Sequence, residues 1–153
     1  MQCAILAGGL GTRLWPVTQA IPKCLVPING RPFAHYQLAW LARQNVTDIV
    51  YCIGFLGEQV KAAIGDGARF GLRVRYPDEG RTLLGTGGAL RVAFDAGLLA
   101  DAFFVLYGDS YLPTEYAPIA GFFRHSRKLG CMTVYRNEGR FDTSNVVFAD
   151  GEI

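Results

Sequence analysis

Residues 6–16 have the sequence LAGGLGTRLWP, and they continue a short apolar run that starts at Cys3. Such a run predicts a buried β-strand that begins almost at the N-terminus. Three of the four residues after Ala7 are glycines, namely Gly8, Gly9 and Gly11. Glycines this dense indicate that the backbone turns sharply or that something approaches it closely. The segment therefore predicts a strand that ends in a glycine-rich loop.

Polar residues in and after this loop favour a phosphate ligand. A glycine loop at the C-terminal end of a strand exposes backbone N–H groups, and such groups bind phosphate well. Thr12 adds a hydroxyl, Arg13 adds a forked cation, and Lys23 adds a point charge ten residues further on. A polyphosphate is the simplest ligand for this set of donors.

Two common phosphate-binding loops do not fit the segment. A dinucleotide fingerprint requires Gly-x-Gly-x-x-Gly, but when Gly9 and Gly11 are taken as the first two glycines the last position is Leu14. A P-loop requires Gly-x4-Gly-Lys-Ser/Thr, and the sequence contains no such string. A Rossmann-type NAD-binding domain is therefore disfavoured, also because no acidic residue follows at the expected distance.

Together with residues 22–27, PKCLVP, the loop resembles the signature of the sugar-1-phosphate nucleotidylyltransferases, G-G-x-G-T-R-L-x-P-x-T-x(3)-P-K-x-L-x-P. Twelve positions match it: Gly8, Gly9, Gly11, Thr12, Arg13, Leu14, Pro16, Thr18, Pro22, Lys23, Leu25 and Pro27. The alternative is a glycine turn with a salt-bridging arginine. The resemblance implies transfer of a nucleoside monophosphate from a nucleoside triphosphate to a sugar 1-phosphate, giving a nucleoside-diphosphate sugar and pyrophosphate.

Hydrophobic patterning predicts an α/β fold, and the resemblance makes it a Rossmann-like three-layer α/β/α arrangement with a mostly parallel central sheet. Strands and helices alternate along the first half of the chain, which is typical of a parallel sheet with right-handed crossovers. The predicted strands are 3–6, 48–54, 72–76, 102–107, 131–135 and 145–148. The predicted helices are 32–45, 56–64, 88–96 and 114–129.

A second glycine-rich string, LGTGGAL, occupies residues 84–90. Thr86 is predicted to cap the helix that begins at Gly88. The nucleotidylyltransferases carry a similar string, in which backbone atoms meet the base and ribose; the alternative is a loop that only lets a helix pack tightly. By resemblance, the nucleotide-binding residues are Leu6, Ala7, Gly8, Gly9, Gly11, Thr12, Gly85, Thr86, Gly87 and Gly88.

Asp109 follows the strong strand 102–107. A carboxylate just past the carboxyl end of a parallel strand lies where open α/β sheets bind ligands. Phosphoryl transfer commonly uses Mg²⁺, which prefers carboxylate, phosphate and water oxygens. The related enzymes use an aspartate at this place for Mg²⁺, so the resemblance assigns Asp109 as the metal ligand; a solvated turn aspartate is the alternative.

The catalytic residues implied by the resemblance are Arg13 and Lys23. Arg13 holds the departing β- and γ-phosphates, and Lys23 lies between the α-phosphate and the incoming sugar phosphate.

Cys24, next to Lys23, is either a thiol made reactive by that lysine or a small buried hydrophobic residue.

Composition predicts a globular, cytoplasmic protein. Half of the 153 residues are hydrophobic and the net charge is only +2, which gives no case for nucleic acid or membrane as a partner. The four cysteines are far apart, as expected of reduced thiols in the cytosol. The expected partners are a nucleoside triphosphate and a sugar 1-phosphate, and a homo-oligomer stays open.

Residues 150–151, Asp-Gly, predict a hairpin turn whose return strand has only two residues. We therefore expect one nucleotidylyltransferase domain over residues 1–153 that lacks its C-terminal part. A non-catalytic or truncated nucleotide-binding module of the same fold is the alternative function. The general pattern is most similar to heptose- and mannose-1-phosphate guanylyltransferases, which favours GTP, although uridylyltransferases and choline-phosphate cytidylyltransferases are also similar.

Overall fold

The computed structural model describes residues 1–77, 84–140, 143 and 146–151. The chain forms two compact units, Met1–Tyr116 and Ala117–Ile153. The elements, in chain order, are β1 (Gln2–Ala7), α1 (Val17–Ala20), β2 (Pro27–Ile28), β3 (Arg31–Pro32), α2 (Phe33–Arg43), β4 (Asp48–Ile53), α3 (Gly57–Ile64), β5 (Arg73–Arg75), α4 (Gly85–Asp95), β6 (Phe103–Tyr107) and α5 (Tyr116–Ser126). Short 3-10 turns occupy Thr12–Leu14, Lys23–Leu25 and Ala68–Phe70.

The first unit is built on a parallel four-stranded sheet in the order β5-β4-β1-β6. Strands β2 and β3 form a separate antiparallel pair. Apolar side chains cover both faces of the sheet because successive residues of a strand point to opposite sides. Cys3 and Ile5 of β1 pack into the core that α2 and α3 cover, whereas Leu6 packs with α4. The predicted three-layer α/β/α fold with a mostly parallel sheet is confirmed.

The strand order creates a crevice at one edge of the sheet. The chain passes from β1 outward to β4 and β5, and then returns to the other side of β1 as β6. Ligands of open α/β sheets bind outside the carboxyl ends of the strands where the order reverses in this way. The crevice lies between the ends of β1 and β6, where the chain carries its first glycine loop and Asp109.

The second glycine-rich string corrects one prediction. Thr86 was predicted to cap a helix over 88–96, but α4 begins at Gly85 and Thr86 lies inside its first turn. The residue before the helix, Leu84, makes no side-chain capping hydrogen bond. Gly85 adopts φ +69°, which glycine tolerates. The chain therefore enters the helix earlier than predicted from Thr86 as the capping residue.

Predictions for the second unit were less successful. The helix predicted over 114–129 is shorter, and residues 131–135 form no strand. Met132 and Tyr135 are exposed, so their β-propensity gains nothing from packing against a neighbouring strand. Residues 146–148 form no strand either, and Asn145 lies outside the described residues. The predicted turn at 150–151 is present. Among the described residues, no helix is long and apolar enough to span a membrane.

Candidate active site

A cavity of about 430 Å³ lies at the carboxyl ends of β1 and β6 and against the first turn of α4. The β1 end contributes Leu6 and the glycine loop, the β6 end contributes the segment 107–109, and the 3-10 turn at Lys23 contributes the third side. The size is that of a small-molecule site, and its place matches the crevice that the strand order creates.

The glycine loop is held in one conformation by a buried side chain. Thr18 is 1% exposed, and its hydroxyl donates a hydrogen bond to the Gly11 carbonyl at 2.8 Å. Gly11 has φ +63°, and a Cβ there would lie only 3.2 Å from Thr18 and 3.3 Å from Lys23. Position 11 therefore favours glycine for its backbone angle, and a Cβ there would also push against Thr18 and Lys23.

Gly9 differs from Gly11. A Cβ at Gly9 would meet no atom within 4 Å, although this residue lines the cavity. Protein packing alone does not explain a glycine here. The missing side chain instead leaves the backbone of the loop open to whatever occupies the cavity.

The cavity contains an ion pair between residues far apart in sequence. The Lys23 ammonium donates to Asp109 Oδ2 at 2.5 Å, and the two side chains are 30% and 37% exposed. Such a pair places one cation and one carboxylate side by side at the edge of the cavity. Its contribution to stability is small because both groups face solvent.

Arg13 supplies a second cation on the cavity wall. Its side chain is exposed. It forms no ion pair with any residue that the structure describes. A guanidinium in this state can bind an incoming anion without first breaking an internal contact.

Asp109 owes its position to a close approach between β6 and β1. The Gly108 N–H donates to the Leu6 carbonyl at 2.8 Å. A Cβ at Gly108 would lie 2.6 Å from Ala7 Cβ and 3.2 Å from Ala7 Cα. Only glycine fits, and the resulting turn places Asp109 beside the glycine loop.

We expect Gly108→Ala to destabilise the fold by about 1–3 kcal/mol, because the added methyl group overpacks against Ala7. Denaturant unfolding of the variant measures this cost. Gly121→Ala is the matched control, because a Cβ at this helical glycine meets no atom within 4 Å and alanine favours helix. Equal stability of the two variants would contradict the close approach.

Cys24 lines the cavity but is only 2% exposed. Burial raises the pKa of its thiol to about 11, although a hydrogen bond with Tyr51 acts in the opposite direction and lowers it. The thiol is therefore protonated near neutral pH, and of the two alternatives the small buried residue fits the structure.

A single carboxylate faces this cavity among the described residues. These residues contain no group of three or more His, Cys, Asp or Glu side chains that could hold a metal ion. A cation at Asp109 would need most of its ligands from substrate oxygens or water, which is the usual way in which Mg²⁺ binds beside phosphates.

A model of the family described as nucleotidyl transferase matches residues 3–141. The chain belongs to this family. It is 36% identical over 129 residues to the glucose-1-phosphate thymidylyltransferase of Streptomyces antibioticus, covering 84% of this chain and 35% of that protein. It is 31% identical over 119 residues to the D-glycero-alpha-D-manno-heptose 1-phosphate guanylyltransferase of Campylobacter jejuni, covering 78% of this chain and 52% of the relative.

Among solved structures, HddC from Yersinia pseudotuberculosis complexed with GMP-PN is similar to this chain. The TM-score is 0.70 at 31% sequence identity, over 80% of this chain and 53% of HddC. The chain thus spans about half, or less, of the length of the relatives it matches. The similarity supports the parallel-sheet architecture described above.

Most of the predicted site residues line one cavity. These are Leu6, Ala7, Gly8, Gly9, Gly11, Thr12, Arg13, Lys23, Gly85, Thr86 and Asp109. Gly87 and Gly88 lie in the first turn of α4 and do not line the cavity. A Cβ at Gly88 would lie 2.4 Å from Leu84 Cβ, so packing already requires glycine there.

Sequence reasoning missed several lining residues, which are Cys24, Leu84, Ala89, Tyr107 and Gly108. Two signals could have found most of them. Tyr107 and Gly108 directly precede the predicted metal ligand, and Ala89 lies one helical turn after Gly85. The residues that border a predicted site residue on the same strand end or helix face share its cavity.

Proposed function

We propose that the full-length protein transfers a nucleoside monophosphate from a nucleoside triphosphate to a sugar 1-phosphate and releases pyrophosphate. The observation that carries the proposal is the Lys23–Asp109 pair at the edge of a cavity lined by the glycine loop. Membership in the nucleotidyl transferase family and relatives that act on sugar 1-phosphates support the same reaction.

The triphosphate would lie along the glycine loop. Backbone N–H groups of the loop and the Arg13 guanidinium supply donors for phosphate oxygens, and the open space above Gly9 lets the ligand approach the backbone. The first turn of α4, with Gly85 and Thr86, would form the opposite wall against the base and ribose. The roles of Gly87 and Gly88 in this wall would be to shape the turn.

The chemical step needs little from the protein beyond positioning and charge. An oxygen of the sugar phosphate attacks the α-phosphorus of the triphosphate in line, the bond to the β-phosphate oxygen breaks, and pyrophosphate leaves. The nucleophile is already ionised, so no covalent enzyme intermediate is required. Arg13 would neutralise charge on the departing pyrophosphate. Lys23 would reduce the repulsion between the α-phosphate and the sugar phosphate, so that the two can approach each other.

Mg²⁺ is part of this proposal, with Asp109 as its protein ligand. One carboxylate at a phosphate site fits the mode in which Mg²⁺ takes most of its ligands from phosphate and water oxygens. When bound, the ion would screen the phosphate charges. Without the ion, the Lys23 ammonium and the Asp109 carboxylate pair with each other at the cavity.

We further propose GTP and a heptose or mannose 1-phosphate as the substrates. Relatives named as heptose- and mannose-1-phosphate guanylyltransferases support this choice, and the solved HddC complex holds GMP-PN. Thymidylyl, uridylyl and choline-phosphate cytidylyl transferases are also similar, so the panel below includes their substrates. A cytoplasmic location fits the four cysteines, which form no disulfide among the described residues. We propose neither nucleic acid nor membrane as partner. Light scattering of the purified protein measures whether it forms a homo-oligomer.

Pyrophosphate release tests the proposal. The purified full-length protein is incubated with Mg²⁺, each of the four triphosphates GTP, TTP, UTP and CTP, and a panel of sugar 1-phosphates with phosphocholine added. Release with one base and one acceptor is the expected result. Nucleotide binding without release for any pair would favour a non-catalytic binding module, which is the second candidate.

A further inference from the structure

One face of α2 holds the segment that follows β6. Gln37 and Trp40 lie on this face, Gln44 follows directly after the helix, and each of the three contacts the segment 107–116. Trp40 donates from Nε1 to the Thr114 carbonyl at 3.3 Å, and the Gln44 side-chain oxygen accepts from the backbone N–H of residue 116 at 3.2 Å. The turn that carries Asp109 is therefore the first part of a segment that one helix anchors along its length.

Gln37 makes the contacts nearest to Asp109. This glutamine is 2% exposed, and its Nε2 donates to the carbonyls of Tyr107 at 2.9 Å and Ser110 at 2.8 Å. These two carbonyls flank Gly108 and Asp109. The amide orientation is determined, because the reverse orientation would direct Oε1 at two carbonyl oxygens.

The turn is thus held from two sides. On one side the Gly108 N–H bonds to β1, and on the other Gln37 bonds the carbonyls before and after the Gly108–Asp109 pair. The Asp109 side chain has only two rotatable bonds beyond this backbone. A shift of the turn would therefore move the carboxylate relative to Lys23.

We propose that Gln37 is a positioning residue that aims the Asp109 carboxylate into the triphosphate cavity. The proposal rests on the proposed function, in which Asp109 holds Mg²⁺. Outer partners that orient a metal-binding carboxylate typically change metal affinity or activity by about 10–100-fold when they are removed. Gln37 lies outside the glycine-loop signature and does not line the cavity, so it acts only through the turn.

The chain offers a matched control in a second buried glutamine. Gln2 is 5% exposed, donates to Asp48 and to the Leu98 carbonyl, and accepts from the Ala100 N–H. It lies at the start of β1, at the other end of the strand from the cavity. Loss of either glutamine removes buried hydrogen bonds that join separate segments, but only Gln37 joins them at Asp109.

The test measures how strongly Mg²⁺ assists nucleotide binding. Calorimetric titration of GTP, or of the triphosphate that the panel selects, gives its Kd with Mg²⁺ and with EDTA for each full-length variant. The ratio of the two values is the assistance by Mg²⁺. Gln37→Met keeps the side-chain length and removes both donors, and we expect it to lower the ratio about tenfold. Gln2→Met should leave the ratio within about twofold of wild type while lowering the melting temperature to a similar degree.

Asp109→Asn separates failure of this inference from failure of the proposed function. A lowered ratio in Asp109→Asn with an unchanged ratio in Gln37→Met overturns the role of Gln37 and leaves the metal role of Asp109 standing. An unchanged ratio in Asp109→Asn overturns both. If Gln37→Met does not fold, Gln37→His, which keeps one ring N–H at similar reach, is titrated instead; a ratio between those of wild type and Asp109→Asn supports the inference, and a wild-type ratio overturns it.

Discussion

Lys23→Ala is expected to lower kcat by about 10²–10³-fold, the usual loss when one preorganised charge contact with a transition state is removed. In the proposed reaction two anionic phosphates must come together, and Lys23 is the cation placed beside Asp109 at the cavity edge. The same substitution leaves the Asp109 carboxylate without its partner, which adds repulsion toward the phosphates. Steady-state pyrophosphate release at saturating substrates measures the loss.

The control for this variant is Lys61→Ala. Lys61 also forms an ion pair at hydrogen-bond distance, with Glu58 at 2.8 Å, but the pair lies on the exposed surface of α3. Exposed pairs of this kind contribute about 0–1 kcal/mol to stability, so turnover should stay near the wild-type value. Near-wild-type turnover in Lys23→Ala would remove this lysine from the mechanism.

The architecture was predictable because its signals are local and periodic. The apolar run at β1, the buried strand β4 and the helix pattern of α2 all occur where the sequence indicates them. In each of these elements, burial of an apolar face stabilises the same conformation that the local sequence favours. The segment 131–135 favours a strand locally, but Met132 and Tyr135 are exposed, so burial does not stabilise a strand there and none forms.

The site was predictable where one motif carries it. Gly11, Arg13 and Lys23 are near neighbours in sequence, and they line the same cavity. Asp109 is 86 residues from Lys23. It was predicted as a site residue from the rule that ligands bind at the carboxyl ends of parallel strands, together with the resemblance to the nucleotidylyltransferases. The contacts that position Asp109 could not be predicted from the sequence. The requirement for Gly108 comes from Ala7 on a neighbouring strand, and the bonds from Gln37 come from a helix, so neither leaves a pattern along the chain.

Arg13→Ala is expected to lower kcat/KM for the triphosphate by about 10²–10³-fold, for a different reason from Lys23→Ala. Arg13 is exposed on the cavity wall, and the structure gives it no ion-pair partner within the described residues, so its charge is available to the β- and γ-phosphates. Arg91→Ala is the matched control, because Arg91 already pairs with Asp95 at 2.8 Å on the surface of α4. Its kcat/KM should stay within about twofold of wild type.

The reverse reaction distinguishes the two cations. Pyrophosphate is a substrate when a nucleoside-diphosphate sugar is cleaved, so loss of Arg13 should raise the KM for pyrophosphate far more than the KM for the sugar nucleotide. Loss of Lys23 should instead lower kcat in both directions, because both directions pass through the same crowded transition state. The same pattern of KM and kcat changes for both variants in both directions would mean that Arg13 and Lys23 act on the same phosphate. The assignment of Arg13 to the leaving pyrophosphate would then be wrong.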